Sequence, residues 1–353
     1  MVSEHPAQVS ALLRSGCKIE IGGGSALRQV GGRKTTPSGT QLALAFAAIY
    51  LIWGSTYLGI RYAIETIPPL LMMGIRHFAA GALVYAWARW RGAPAPQPKH
   101  WAYALIAGAL LFLGGHGILA WAEQRVPSGL AALLCATLPL WTVLLARVDG
   151  TERRISMRAL AGILLGFGGV ALLIGPDLFG QRLNLLAAGG VLASALLWAV
   201  GTGYTRRVRM PESKLLSAAM QMLSGGVLLL LIALFSGEVS GLHLAAVTAR
   251  SALSLAYLIV LGSIVAFSVY TWLVSASSPS MLSTYAYVNP VIAVFLGWAL
   301  ASEALGVRTV VATAVIVAGV ILVSTRRKLP LGLETETDRG IAPLEQTCEA
   351  TGD

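Results

Sequence analysis

Apolar positions along the chain cluster in ten stretches, separated by short polar segments that are often basic. At a rise of about 1.5 Å per residue, roughly 20 apolar residues suffice for a helix to cross the hydrocarbon core of a bilayer. The pattern therefore predicts an all-α integral membrane protein with ten transmembrane helices. The stretches lie near 42–62, 69–88, 102–122, 128–146, 158–175, 184–205, 215–235, 252–273, 280–300 and 308–324.

The composition supports a membrane location. Of the 353 residues, 56% are hydrophobic and 12% are charged, and the mean hydropathy is +0.72. A soluble domain has about 25% charged residues, so this chain has too few to cover its own surface. The lipid bilayer is the expected surrounding, and the short connections leave no room for a soluble catalytic domain.

The net charge of +10 could indicate nucleic acid binding, but its distribution argues against that. If the N-terminus is cytoplasmic, the intervening segments place 19 Lys and Arg residues on the cytoplasmic side and 5 on the outer side. Cytoplasmic loops of membrane proteins carry such an excess. The bias predicts an even number of spans, with both termini in the cytoplasm.

Two polar tails flank the apolar region. Residues 1–40 are rich in Gly, Ser, Thr and Arg and lack the apolar core of a secretory signal, so we predict a disordered cytoplasmic tail. Residues 326–353 are predicted to form a disordered acidic tail. The sequence has no nucleotide-binding, hydrolytic or clustered Cys/His motif. We therefore expect no cofactor, no metal site and no enzyme activity.

The apolar region contains an internal duplication. The stretch LIWGSTYLGIRY meets LLWAVGTGYTRR when it is shifted by 145 residues. Trp53 then falls on Trp198, and Arg61 falls on Arg206. We expect Arg61 to end its span on the outer side and Arg206 to end its span on the inner side.

A second match follows later in each copy. Pro139 and Glu152 correspond to Pro290 and Glu303 at an interval of 151 residues. The two copies then cover 41–176 and 182–325, each with five predicted spans. An odd number of spans requires the second copy to enter the membrane from the opposite side. Inverted repeats of this kind are typical of secondary transporters, with substrate sites near the bilayer midplane.

Over about residues 42–325 the chain resembles the EamA-type exporters of the drug/metabolite transporter superfamily. The features that carry this are Trp53-Gly54-Ser55, Arg76 in MGIRHFAAGAL, and the two proline helices that each precede a glutamate. The resemblance implies export of small metabolites or amino acids from the cytoplasm. The second copy departs from the pattern, since Ala199-Val200 replaces Gly-Ser, so the halves are expected to contribute unequally.

We therefore predict a secondary transporter in a bacterial inner (plasma) membrane. It would export small metabolites, amino acids or amphipathic compounds by alternating access. Coupling to protons and passive facilitation are both open, and the sequence does not indicate an oligomeric state. An integral membrane lipid-modifying enzyme is the alternative from another class, and a non-transporting membrane scaffold is a third. The enzyme would need a cluster of carboxylates or histidines at one membrane face, which the sequence does not offer.

Aromatic and small polar residues are the first candidates for a substrate cavity. Trp53 and Trp198 lie deep in their spans and are related by the duplication, whereas Trp and Tyr near span ends are usually interfacial. Aromatic walls with few polar anchors suit amphipathic or cationic small molecules. The further candidates of this kind are Ser55, Tyr57, Tyr270 and Tyr285.

Ionisable residues inside the spans form the second group. Arg76 lies about 10 Å along the second span, where ionisable groups are rare and usually functional. It could pair with Glu123, hold a substrate carboxylate or extend toward the interface. Glu123, in the outer half of the third span, is a further cavity candidate. His116 is either a satisfied interior group or a proton carrier, since histidine titrates near neutral pH. No acid falls at the centre of a predicted span, which disfavours a carboxylate relay.

Pro139 and Pro290 interrupt two otherwise good helices at corresponding places. Proline removes a backbone donor and frees a carbonyl one turn earlier, and such backbone is tolerated in a membrane only beside protein or a wet cavity. Both cavity-lining kinks and purely structural bends fit this pattern. Asn289 precedes Pro290, and its amide needs partners, so it is a further cavity candidate.

Overall fold

The computed structural model describes residues 38–148, 156–174, 184–277, 281 and 284–324, and within these ranges every regular element is a helix. The helices α1 to α7 are Gly39–Ala63, Pro69–Trp90, Pro98–Glu123, Ser128–Val148, Met157–Ile174, Leu185–Arg207 and Lys214–Phe235. A short 3₁₀ turn, Leu244–Ala246, precedes α8, which consists of Ala249–Tyr257, Leu258–Val265 and Ala266–Ala276. Helices α9 and α10 are Tyr285–Ala301 and Val307–Ser324.

Seven of the described helices are long and apolar enough to cross a membrane, namely α1, α2, α3, α4, α6, α7 and α8. Apolar parts of α5, α9 and α10 are shorter. This confirms an all-α membrane protein, and each of the ten predicted stretches falls on a helix. The predicted tails lie outside the described residues, except for 38–40, where α1 begins.

The helix starts are set by local sequence. Ser38 and Gln41 form a reciprocal capping box at α1, which satisfies two of the backbone N–H groups that a helix leaves free at its start. The side chains of Asn184, Ser213 and Thr248 accept backbone hydrogen bonds at the starts of α6, α7 and α8. These polar residues bound the apolar stretches in the sequence, so each apolar run becomes one helix.

The helices pack in pairs that join the two halves of the chain. Helix α2 packs along α7, α5 along α10, and α4 along α9. Glycines permit the closest of these approaches: a Cβ at Gly226 would stand 2.5 Å from the backbone nitrogen of Phe78, and one at Gly81 would stand 2.7 Å from that of Leu223. Such small residues let helix backbones meet where lipid gives no hydrophobic drive for association.

Helices α1 and α6 make equivalent contacts with different partners. Helix α1 packs against α8 and α9, and α6 packs against α3 and α4. The end of α1 meets the start of α8, where the Ser251 hydroxyl donates to the Tyr62 carbonyl at 2.7 Å. The start of α6 lies against the end of α3, where Gly190 faces Trp121. We call the side at which α1 ends the Arg61 side.

Two helices contain π-helical segments at corresponding places. The segment in α3 is Ala109–Gly117, and the one in α8 is Leu258–Val265. A π-helical turn has hydrogen bonds between residues i and i+5, instead of i and i+4 as in an α-helix, and is frequently found at functional sites. Both segments contain glycine or serine, and both border the polar residues described below.

Candidate functional site

A group of ionisable side chains is buried between the apolar helices. Arg76 and His77 on α2 are 4% and 1% exposed, and Glu123 at the end of α3 is 1% exposed. Burying ionisable groups is costly unless they are paired. Their surroundings therefore decide what they can do.

Arg76 is held by the π-helical segment of α8. Its Nε donates to the Ser263 hydroxyl at 3.0 Å, and its Nη2 lies close to Gly262. Among the described residues no ion pair joins Arg76 to Glu123, so the interpretation of Arg76 as the partner of Glu123 is wrong for this arrangement. The interfacial interpretation is also wrong, because the side chain is buried. A binding role for a substrate carboxylate stays a prediction.

His116 forms a pair with His77. Its Nδ1 lies 2.9 Å from the Nε2 of His77, with the proton position set by the tautomers, and the two rings stack at a centroid distance of 4.9 Å. Phe112 packs on His77 at 4.5 Å, and Trp198 packs on His116 at 4.6 Å. We call His77, Phe112, His116 and Trp198 the Trp198 cluster. Sequence reasoning did not select His77, although its position beside Arg76 was a usable signal.

Trp53 lies in a separate aromatic group. Its ring centroid is 5.3 Å from that of Tyr270 and 5.2 Å from that of Tyr285. We call these three residues the Trp53 cluster. The structure thus brings together three predicted cavity residues from α1, α8 and α9. Ser55 lies two residues further along α1, where its hydroxyl is 2.5 Å from that of Tyr257.

A cavity of about 70 Å³ lies between α1, α4 and α9. Its wall includes five predicted residues, namely Tyr57, Tyr285, Asn289, Pro139 and Pro290. Its volume corresponds to about two water molecules, whereas sites for drug-sized ligands span about 300–1,000 Å³. In this arrangement the cavity is therefore too small for a drug-sized ligand. A larger surface groove of about 390 Å³ lies elsewhere, beside Arg91 and Ser213.

The two prolines of this wall act differently. Helix α4 is interrupted between Cys135 and Leu138, just before Pro139, whereas α9 continues through Pro290. The Oδ1 atom of Asn289 is buried and has no hydrogen-bond partner among the described residues. An unpaired buried amide oxygen costs free energy, so the position is suited to a ligand that supplies a donor.

The ends of α1, α4 and α9 are joined on the Arg61 side. Glu303 accepts hydrogen bonds from the Ser128 nitrogen and hydroxyl, each at 2.7 Å, and from the Gly129 nitrogen at 2.9 Å. The Nε of Arg61 lies 3.7 Å from the same carboxylate. A carboxylate at a helix start satisfies free N–H groups and complements the helix dipole. We call these four residues the Glu303 junction. Glu152, the repeat counterpart of Glu303, lies outside the described residues.

A second carboxylate caps α2 in the same way. Glu238, which follows α7, accepts a hydrogen bond from the Leu71 nitrogen at 2.8 Å. Burial raises the pKa of Glu238, and the hydrogen bonds from the backbone of Leu71 and Leu70 oppose that shift. Neither capping role was predicted from the sequence, because each pairs residues more than 160 positions apart.

Comparison with known proteins gives consistent matches. The profile of the EamA-like transporter family matches residues 40–175 and again residues 185–325. The uncharacterized inner membrane transporter YedA of Escherichia coli is 38% identical over 81% of this chain and 91% of its own length. The uncharacterized transporter YvbV of Bacillus subtilis is 26% identical over 82% of this chain and 93% of its own.

More distant matches also cover nearly the whole apolar region. Protein PecM of Dickeya dadantii is 26% identical over 84% of this chain and 94% of its own length. A solved crystal structure, 22% identical, aligns with a TM-score of 0.56 over 82% of this chain and 98% of that one. At that identity the alignment establishes a shared fold alone.

Proposed function

Because the chain belongs to the EamA-like transporter family, we propose that it is an inner-membrane secondary transporter. It exports small metabolites, amino acids or amphipathic compounds from the cytoplasm by alternating access. The membership confirms the resemblance drawn from the sequence. The naming of YedA as an inner membrane transporter supports the inner-membrane location, and the distribution of Lys and Arg supports cytoplasmic termini. In this orientation the Arg61 side faces outward.

We propose further that all ten helices cross the membrane as two inverted units, residues 41–176 and 182–325. The family profile matches twice, over nearly these ranges. The packing of α1 on α8 has its counterpart in the packing of α6 on α3. Helix α6 begins near the end of α3, on the side where α1 ends, which supports opposite directions for α1 and α6.

One observation carries the proposal for the substrate site. Arg76 is a buried cation that keeps hydrogen-bonding capacity for a further partner, since within the described ranges its polar contacts are Ser263 and the Met73 sulfur, with Gly262 beside it. A guanidinium can bind a carboxylate through two parallel hydrogen bonds. We assign Arg76 to an acidic group of the substrate, with the Trp53 and Trp198 clusters contacting its apolar part.

Efflux from proteoliposomes tests the proposal. The purified chain is reconstituted, and release of amino acids and amphipathic cations is followed with and without an imposed pH gradient. Gradient-dependent release of at least one compound, absent from empty vesicles, is expected. Release that never exceeds the concentration gradient would identify a passive facilitator. Absence of any flux, together with altered lipids, would replace the proposal with an enzyme.

A further inference from the structure

Glu123 is the most unusual group in the described part of the protein. It is 1% exposed, and neither carboxylate oxygen has a hydrogen-bond partner there. By contrast, the Glu303 carboxylate accepts three hydrogen bonds. A buried carboxylate without donors is strongly disfavoured in its ionised form. Glu123 therefore requires either a proton or a positively charged ligand.

The groups around Glu123 make both states attainable. The charged groups that interact with it through space are Arg61 of α1, Arg76 of α2 and Glu303, which follows α9. Tyr57 of α1 and Cys135 of α4 also face it. Helices α6 and α7 also pack on α3, but their charged residues lie at the end of the bundle opposite Glu123. Arg206, in the last turn of α6, interacts with Tyr270 and Tyr285. Lys214 is the first residue of α7.

Resting on the transport function proposed above, we propose that Glu123 exchanges a proton for the amino group of the substrate. In the arrangement seen here, without substrate and with the Glu303 junction formed, Glu123 carries the proton. The ammonium of a substrate arriving from the cytoplasm displaces that proton, which is released to the cytoplasm, and forms an ion pair with the carboxylate, while the acidic group of the substrate binds Arg76. On the outer side a proton rebinds Glu123 and releases the ammonium.

The step balances, since one proton enters for each substrate molecule that leaves and no other reactant is required. Proton and ammonium cannot both occupy the carboxylate, which is the condition for coupled exchange. The transported compounds are therefore those with a primary amino group, zwitterionic amino compounds above all.

Infrared titration of the full-length protein in lipid nanodiscs tests whether Glu123 carries a proton in the absence of substrate, with the proton itself as the probe. At neutral pH and without substrate, we expect a carbonyl band from a protonated carboxyl that is absent from Glu123→Gln and retained in Glu303→Gln. Because burial also raises the pKa of Glu238, Glu238→Gln is compared as well. If Glu123→Gln fails to fold, Glu123→Asp must shift the band. A band unchanged in the Glu123 variants overturns the proposal.

A measurement of proton release tests whether the substrate ammonium displaces the proton of Glu123. The amino compound exported fastest in the efflux screen and its N-acetyl derivative are each added to weakly buffered protein. We expect release of about one proton per protein with the amino compound, no release with the acetylated one, and none from Glu123→Gln. Preferred export of compounds without an amino group overturns the exchange. Flux without a Glu123 band contradicts this inference alone, whereas a band without any flux contradicts the transport function.

Discussion

The Trp53 and Trp198 clusters occupy equivalent positions in the two halves, but their chemistry differs. Trp53 and Trp198 are 145 residues apart, and each packs on one helix that contains a π-helical segment. Around Trp53 the neighbouring rings are Tyr270 and Tyr285, whereas around Trp198 they include the histidine pair and Phe112. The duplication has preserved backbone geometry while the side chains have diverged.

The difference extends beyond the aromatic rings. At the same interval of 145 residues, Arg76 corresponds to Gln221, whose side chain bonds Ser217 within its own helix. Gly54 corresponds to Ala199. The buried cation Arg76, both histidines of the pair and Glu123 thus all belong to the first copy. We infer that the first copy supplies the ionisable groups of transport and the second supplies neutral polar groups and shape.

The largest effect is expected from Arg76→Met, compared with Gln221→Met at the corresponding position. Removing one partner of a buried charged hydrogen bond costs about 2–5 kcal/mol, so efflux should fall about 100-fold or more for Arg76→Met. Gln221→Met should stay within about threefold of the wild type, because its hydrogen bond is local. Initial rates in proteoliposomes provide the measurement. Equal losses in both variants would contradict the division between the two copies.

The second effect concerns the contact between α1 and α9. A Cβ at Gly54 would stand 2.8 Å from the Cβ and Cγ2 atoms of Ile292, and overpacking of this kind costs about 1–3 kcal/mol. Gly54→Ala should therefore lower the thermal midpoint in detergent. Gly203→Ala on α6, where no atom lies within 4 Å of the new Cβ, is the matched control and should not lower it. A stable Gly54→Ala protein would mean that α1 and α9 are free to separate.

The fold was largely predictable because hydrophobic length and charge are local properties. The ten apolar stretches agree with helices to within a few residues. The sequence predicts aromatic and polar residues of the spans as cavity candidates, and of these Trp53, Tyr270 and Tyr285 lie together. What failed was the pairing: Arg76 bonds Ser263, and no ion pair with Glu123 is formed among the described residues.

The missed features share a physical cause. The sequence predicts Glu123 as a cavity candidate but not its full burial, because a carboxylate at the end of a span ordinarily reaches water and the helices that bury it are distant in sequence. Glu303 finds its partners 174 and 175 residues away. Sequence periodicity identifies the helix on which a residue lies but not the helix that it faces. The repeat interval, applied to Arg76, would have revealed its unlike counterpart Gln221.

A third effect should separate stability from transport. Asn289→Leu removes a buried amide oxygen that has no hydrogen-bond partner among the described residues, and such an oxygen costs about 1–3 kcal/mol, so the thermal midpoint should rise. Efflux should fall, because the hydrogen-bond acceptor that Asn289 offers beside the cavity is lost. Both quantities are measured on one preparation, with Thr142→Val on α4 as a control, whose hydroxyl bonds its own helix at Leu138. A rise in stability with normal efflux would limit Asn289 to packing.

The smallest effect addresses the histidine pair, which the Trp53 cluster lacks. Changing His116 alone to Phe leaves Nε2 of His77 without its partner, and its Nδ1 already has none among the described residues, so each single change should cost about 1 kcal/mol or more. Changing His77 as well removes both polar groups, and the double variant should be less destabilised than the sum of the singles by about 1 kcal/mol.

The matched cycle uses Tyr270→Phe and Tyr285→Phe in the Trp53 cluster. These variants keep the rings that contact Trp53 and break no described hydrogen bond between the two tyrosines, so their effects should add to within about 0.5 kcal/mol. Thermal unfolding of all variants gives both coupling energies. If the histidines also behave additively, the pair is a stacking contact like its counterpart, and the polar character of the first copy rests on Arg76 and Glu123 alone.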